Sequence, residues 1–355
     1  MSTDNRVIDR RRFLSYGAGG MAAALTGALG SHASGAFAQG AGGAPLTIGV
    51  LRAPASGVIA ITEQRGWFKE AGVNLTEVLF ASAAGPKIVQ ALGGGSVALS
   101  FVNSTAALLG MAGGAIPLRF ISIATDPSKL FAVLSTPDIT SVPQLAGKRV
   151  ATTTGTGLHY FLARVLSKHG MKLTDIELIN LPAADGQAAF VAGRVDALVP
   201  SVNGRYYLMN TKKDTRELFT YADFTKPPGP LEEFLNYDLF VTTEDVLKSS
   251  RPALKSFLAA YHNKGVPYLL DPKTRTEALR SITDYVNTEQ KNPTDPAIMN
   301  QILTTSGFYD GKTVKQLMTR PDFRANLETQ VKFFMDQKVM KTAPDLDRAI
   351  VTDLL

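Results

Sequence analysis

Between Leu46 and Thr242, short runs rich in β-branched and apolar residues alternate with stretches whose apolar positions recur at helical spacing. That alternation confines the chain to an α/β fold with parallel sheets. Residues 46–51, 73–80, 97–102 and 118–124 read as strands, with helices over 57–65, 85–92 and 105–111 between them. A second unit opens near Leu130, with strands at 148–152, 176–181 and 195–199 and helices at 157–168 and 184–192. Gly170 suits the end of the first of these helices. The Pro-rich stretch 225–229 reads as a loop leaving this unit, and 239–242 as a strand returning to the first. Beyond Asp245 the pattern is helical. Leu254, Phe257, Leu258, Tyr261 and Leu269 mark one buried face of a helix over 251–270, and further helices fit 274–286, 295–304 and 323–334. A chain that enters a second unit and comes back makes more than one crossing, which is the connectivity of a hinged, two-lobed body. The expected division is residues 45–130 with 238–355 for the first lobe, which includes the C-terminal helices, and 131–237 for the second.

The N-terminus reads as an export signal rather than as part of this fold. Arg10, Arg11 and Arg12 precede Phe13-Leu14, the pattern of a twin-arginine signal. A mildly apolar, Ala- and Gly-rich stretch follows, and Ala36-Phe37-Ala38 supplies a small-x-small cleavage site. Residues 1–38 are therefore expected to be removed, leaving a periplasmic protein with no membrane-spanning segment. The chain has no cysteine, so neither a lipid-attachment thiol nor a disulfide framework is available. Its formal charge of +6 loses four arginines and two aspartates with the signal. The remaining +4 is spread without a basic run, which does not suggest nucleic acid and is compatible with a preference for anions.

In a sheet of this class, ligands sit beyond the carboxyl ends of the strands, so the loops there hold the candidate site. Arg52 and Ser56 belong to the loop after the first strand. Arg52 is a bidentate donor for an anion or else a solvated loop residue. Asn103, Ser104 and Thr105 open a helix, as N-caps or with backbone N–H groups free for an oxyanion. Thr154, Gly155 and Thr156 lie in a stretch that nearly spells a dinucleotide fingerprint, but Tyr160 stands where its third glycine belongs. The stretch reads instead as a cradle for a small anion. His159, in the first turn of the following helix, is expected to be neutral, because the helix dipole disfavours imidazolium there. Asp185 suits a helix cap, and Ser201 and Asn203 follow the last strand of the second unit. Asn236-Tyr237, near the return, is a further candidate.

Enzyme signatures are missing. There is no Gly-x-Ser-x-Gly elbow. Gly311-Lys312-Thr313 lacks the earlier glycine and the preceding strand of a phosphate loop and reads as a turn. Beyond residue 38 the histidines are His159, His169 and His262, without metal-binding spacing, and Glu232-Glu233 reads as solvated surface. No catalytic residue, metal or cofactor is expected.

Several stretches resemble the taurine, aliphatic-sulfonate and nitrate substrate-binding proteins of ABC importers. They are Gly66-Trp67-Phe68-Lys69-Glu70-Ala71-Gly72-Val73, Gly147-Lys148-Arg149-Val150-Ala151, Leu181-Pro182-Ala183-Ala184-Asp185 and Gly193-Arg194-Val195-Asp196-Ala197. The resemblance spans about residues 46–245 and lies nearest the sulfonate branch. It implies a type II periplasmic binding fold that holds a small, sulfonate-like anion between its lobes. It also implies a permease, with its cytoplasmic ATPase, as partner. The chain departs from the pattern at Ala98, where the family usually has an acid, and at Leu198 and Ser201, where the sulfonate branch tends to have tryptophan. A pyrimidine-type or aromatic solute therefore stays open as the ligand. So does an enzyme of pyrimidine-precursor synthesis on the same fold, although that chemistry uses cysteine or metal ligands.

Overall fold

Ten strands and fifteen α-helices follow one another in the computed structural model, which describes residues 45–80, 84–225, 234–288 and 293–355. The export segment 1–38, nearly all of the loop at 225–229, and Glu232-Glu233 lie outside the described residues. The strands are β1 (Leu46–Leu51), β2 (Leu75–Phe80), β3 (Leu99–Asn103), β4 (Leu118–Thr125), β5 (Ala132–Ser135), β6 (Arg149–Thr152), β7 (Glu177–Asn180), β8 (Ala197–Leu198), β9 (Arg216–Thr220) and β10 (Asp238–Thr243). The helices among them are α1 (Pro54–Gln64), α2 (Trp67–Glu70), α3 (Gly85–Gly93), α4 (Ser104–Met111), α5 (Gly157–Lys168), α6 (Ala183–Val191) and α7 (Val202–Thr211). After β10 come α8 (Glu244–Ser249), α9 (Arg251–Ala260), α10 (Val266–Leu270), α11 (Arg275–Asn287), α12 (Pro296–Thr305), α13 (Gly311–Thr319), α14 (Pro321–Asp336) and α15 (Leu346–Ala349).

The strands form two five-stranded sheets, ordered β2-β1-β3-β10-β4 and β7-β6-β8-β5-β9. The two orders are the same pattern. In each, the fourth strand runs against its neighbours: β10 is antiparallel to β3 and β4, and β5 to β8 and β9. The expected all-parallel sheets are therefore mixed. The cause is the double crossing, because β5 starts the second sheet directly after β4 and β10 returns to the first after β9. Both inserted strands arrive from the other sheet, free of the helical crossover that a parallel neighbour needs.

Buried side chains explain why these segments fold as they do. All eight residues of β4 are buried, as expected for a strand covered on both faces. Helices α9 to α12 pack Phe257, Tyr261, Ile282 and Met299 against Ile48, Val50 and Phe240 of the first sheet. A second core runs without a break from Val102, Phe120 and Ile123 to Val133, Val150, Phe161 and Val165, and so joins the two sheets. Tyr160 and Phe161 of α5 and Phe131 and Phe234 of the crossings lie edge to face or stacked within it, and Phe334 of α14 packs at a tilt on Tyr160.

The helix expected over 251–270 is interrupted by a π-helical turn at Tyr261–Gly265. That turn buries His262 against Ser122 and the Tyr309 carbonyl, at 2.7 and 2.9 Å. A carbonyl only accepts, so Nδ1 carries the proton and Nε2 accepts from the Ser122 hydroxyl. Burial holds His262 neutral, pushing its pKa down to about 4. Gly311 begins α13 instead of ending a turn, because Asp310 caps that helix through the Thr313 N–H at 2.8 Å.

Candidate functional site

The carboxyl ends of β1, β3, β6 and β8 face one another across the space between the two sheets. Within each sheet these strands flank the point where the winding reverses, where ligands of such sheets bind. The loops after them enclose a cavity of about 180 Å³. Leu51 to Ala55, Phe101 to Asn103, Thr125 and Asp238 line it from the first sheet, and Thr156 to Leu158 and Ser201 to Asn203 from the second. Leu130 and Phe131 of the first crossing, together with Ile302 and Ser306 of the α12 region, add to the wall.

Five of the residues singled out in the sequence meet at this cavity: Arg52, Asn103, Thr156, Ser201 and Asn203. Asn103 caps α4 by accepting from the Thr105 N–H at 3.2 Å, and Ser201 caps α7 by accepting from the Gly204 N–H at 3.3 Å. Thr156 precedes α5, and its hydroxyl donates to the Thr153 carbonyl at 2.6 Å. Gly157 and Leu158 of α5, and Val202 and Asn203 of α7, are first-turn residues whose N–H groups have no acceptor within their helix. These positions carry the positive ends of two helix dipoles to the cavity wall. The guanidinium of Arg52 lies 4.5 Å from the ring centroid of Tyr285. The Tyr285 hydroxyl in turn donates to Glu77 at 3.2 Å. Arg52 lowers the pKa of Glu77 against a larger upward push from burial, so its charge is partly engaged at the rim. Its Nε is buried without a hydrogen-bond partner.

The other candidates lie elsewhere. Ser56 is fully buried behind the loop, where its hydroxyl accepts from the Leu51 N–H at 3.3 Å. Ser104 and Thr105 are fully buried too, and both hydroxyls donate to Gln330 Oε1 of α14, at 3.0 and 3.1 Å. The α4 terminus is not free for an oxyanion. Ser104 N–H donates to the Tyr237 carbonyl at 2.8 Å, and Thr105 N–H is taken by Asn103. Thr154 N–H donates to Asn180 Oδ1 at 3.1 Å, away from the cavity lining. Gly155 adopts a φ of 71°, and its N–H approaches His159 Nδ1 at 3.4 Å. That places the His159 proton on Nε2, which is buried without a partner, and burial lowers its pKa. Asp185 is not a cap, since Pro182 occupies that position. Its side chain borders a separate depression with Arg149 and Glu177.

Sequence reasoning passed over Asp238, the residue that most alters the chemistry of the cavity. As the first residue of β10 it pairs with Asn103 on one side and Thr125 on the other. The Thr125 hydroxyl donates to its Oδ2 at 3.1 Å, and Asn103 contributes a second hydrogen bond. Burial, reinforced by nearby Asp126, pushes its pKa up to about 6 against the pull of those two bonds. The available signal was a lone acid opening an apolar run, beside Asn236-Tyr237. Asn236 itself is fully buried, with Nδ2 donating to the Thr105 hydroxyl at 2.9 Å.

Residues 54–274, more than half of the chain, match the family described as NMT1/THI5 like. The chain belongs to the NMT1/THI5-like family. Among relatives of this family member, a putative aliphatic sulfonates-binding protein of Escherichia coli K12 is 34% identical over 118 residues, 32% of this chain and 36% of the relative. The taurine-binding periplasmic protein of the same organism is 25% identical over 207 residues, 58% of this chain and 60% of the relative. The matches thus span between about a third and three-fifths of these relatives' lengths. The alkanesulfonate-binding protein SsuA of Xanthomonas axonopodis pv. citri, solved bound to MOPS, superposes with a TM-score of 0.69 at 21% identity. That superposition covers 88% of this chain and 99% of SsuA. The NMT1/THI5-like chain therefore has the α/β, two-sheet periplasmic binding fold, with its cavity between the sheets.

Proposed function

We propose that this chain is the extracytoplasmic substrate-binding protein of an ABC importer, and that it holds a small organic anion of the sulfonate type between two lobes. Residues 45–130 with 238–355 make the first lobe and residues 131–237 the second, with hinges at the crossings from β4 to β5 and from β9 to β10. One observation carries the reading: the cavity is walled from both sheets, with two helix N-termini from the second lobe facing the rim that holds Arg52. Hydroxyls of Thr156 and Ser201, the Asn203 amide and the α5 and α7 N–H groups replace the water around an anion. Binding on both walls favours the closed form, which docks on the permease. Similarity to sulfonate- and taurine-binding relatives supports the solute class. Residues 1–38 direct export through the twin-arginine pathway.

The test is a thermal-shift panel of taurine, alkyl and aryl sulfonates, nitrate, sulfate and pyrimidines, followed by calorimetry. A solute that binds the native state raises the melting temperature. A rise with sulfonates alone is the expected result. A rise with pyrimidines alone, or turnover of any solute, overturns it. Replacing Arg10 and Arg11 by lysine in a fusion of residues 1–38 to a reporter is expected to stop export.

A further inference from the structure

The geometry points to Asp238 as the residue that selects the solute, admitting organic anions that also carry an ammonium or other N–H donor over isosteres that lack one. This deepens the proposed binding role of the cavity and rests on it.

The charged side chains on the cavity wall are Arg52 and Asp238. Arg52 is held over Tyr285 and toward Glu77, whereas no lysine or arginine pairs with Asp238 among the described residues. Its charged and titratable neighbours are Asp126, just beyond β4, and Tyr261, on the π-helical turn. Neither is a cation. From β3 and β4, Asn103 and Thr125 give it two hydrogen bonds. An ionised carboxylate accepts about four, so acceptor positions remain. A carboxylate in such a place is costly unless a donor of positive charge meets it, and it repels a solute that offers only negative charge. A solute with an anionic end toward the helix termini and a cationic end toward Asp238 satisfies both walls. Phe101, Phe131, Leu158 and Ile302 add apolar lining suited to a short carbon chain. The volume agrees, since about 150 Å³ is enough to hold benzene and about 180 Å³ takes a solute of that order.

The selection depends on pH. With its pKa pushed up to about 6, Asp238 is ionised at pH 7.5 and prefers the ammonium. At pH 5 it is largely a neutral acid, which no longer repels a plain anion and no longer attracts a cation.

Calorimetry with taurine and its isostere 1-propanesulfonate, at pH 7.5 and 5, tests this, alongside the carboxylate pair β-alanine and butyrate. A hydrogen bond to a charged partner corresponds to about a ten- to hundredfold preference for the amino member of a pair at pH 7.5. That preference is expected to shrink several-fold at pH 5 and to vanish at both pH values in Asp238→Asn. Equal affinity of the two members at pH 7.5, or a preference that survives in Asp238→Asn, overturns the assignment. The wild-type comparison stands even if the variant fails to fold. Discrimination within the carboxylate pair, without any sulfonate binding, refutes the sulfonate reading and keeps Asp238 as selector. No binding of any of the four refutes both.

Discussion

Gly157 is a position at which one added methyl group tests the proposed closure of the cavity apart from the stability of the fold. It is the first residue of α5, at the edge of the second sheet, and it lies against two asparagines of the other side. A Cβ there would come within 2.5 Å of Asn236 Oδ1, 2.7 Å of Asn103 Oδ1 and 2.8 Å of Asn103 Cγ. Neither asparagine is free to swing away. Asn103 caps α4 through the Thr105 N–H, and Asn236 donates to the Thr105 hydroxyl. Gly157→Ala must therefore break one of those bonds, at about 1 kcal/mol, or push the α5 terminus back by several tenths of an ångström. Overpacking of this kind costs about 1–3 kcal/mol. Under the proposed closure of the lobes the clash exists only while the seam is shut, so that cost falls on the closed, ligand-holding form. The expected result is a dissociation constant raised about five- to 150-fold, with a melting temperature close to wild type. Calorimetry with the tightest solute of the panel, alongside a thermal melt, measures both. A wild-type dissociation constant refutes the reasoning. So does a lowered melting temperature with affinity unchanged, which would make the seam a fixed structural contact.

Three further outcomes follow from buried polar groups. The Asp238 pKa is raised in the folded chain, so the native state loses stability as pH rises from about 4 to about 6. Asp238→Asn is therefore expected to be more stable than wild type by about 1–3 kcal/mol at pH 8, and equal to it near pH 4, in urea denaturation at each pH. Ser122→Ala leaves the buried Nε2 of His262 without its donor and is expected to cost about 1–3 kcal/mol in the same assay. Since His262 is held neutral with a lowered pKa, its contribution is present above pH 6.5 and is lost as pH falls toward 4. Gln330→Leu removes the acceptor shared by Ser104 and Thr105 and is expected to destabilise by about 2 kcal/mol or more. In a Ser104→Ala/Thr105→Ala background, which lacks both donors, Gln330→Leu should cost less, and an equal loss there would refute the role given to the shared oxygen.

Much of the site was visible as loops and little of it as side-chain roles. The strand-to-helix junctions at Arg52, Asn103, Thr156 and Ser201 follow from chain order alone, because the loop after a parallel strand must open at the carboxyl edge of its sheet. Whether a hydroxyl there faces the cavity depends on its helix's rotation and on its neighbours. Ser104 and Thr105 turn inward because Gln330 arrives from more than two hundred residues away. Strands β5 and β9 escaped notice because four or five residues make too short a period to read, and Arg216 and Glu217 interrupt the second. Helix α7 carries Asn203, Gly204, Arg205 and two tyrosines, which have no strong helical preference in common. It forms because Ser201 caps it and Leu208 is buried.

The alternation of short apolar runs with helical periods determined by itself that this chain would wind α/β units and keep its loops at strand ends, since both periodicities are local properties of the backbone. The tertiary structure alone decided that each sheet takes one antiparallel strand from the other half, and that Asp238 faces the cavity with no cation beside it among the described residues. Pairing across more than a hundred residues, and the burial that shifts a carboxyl group's pKa, arise only when β10 comes to lie between β3 and β4.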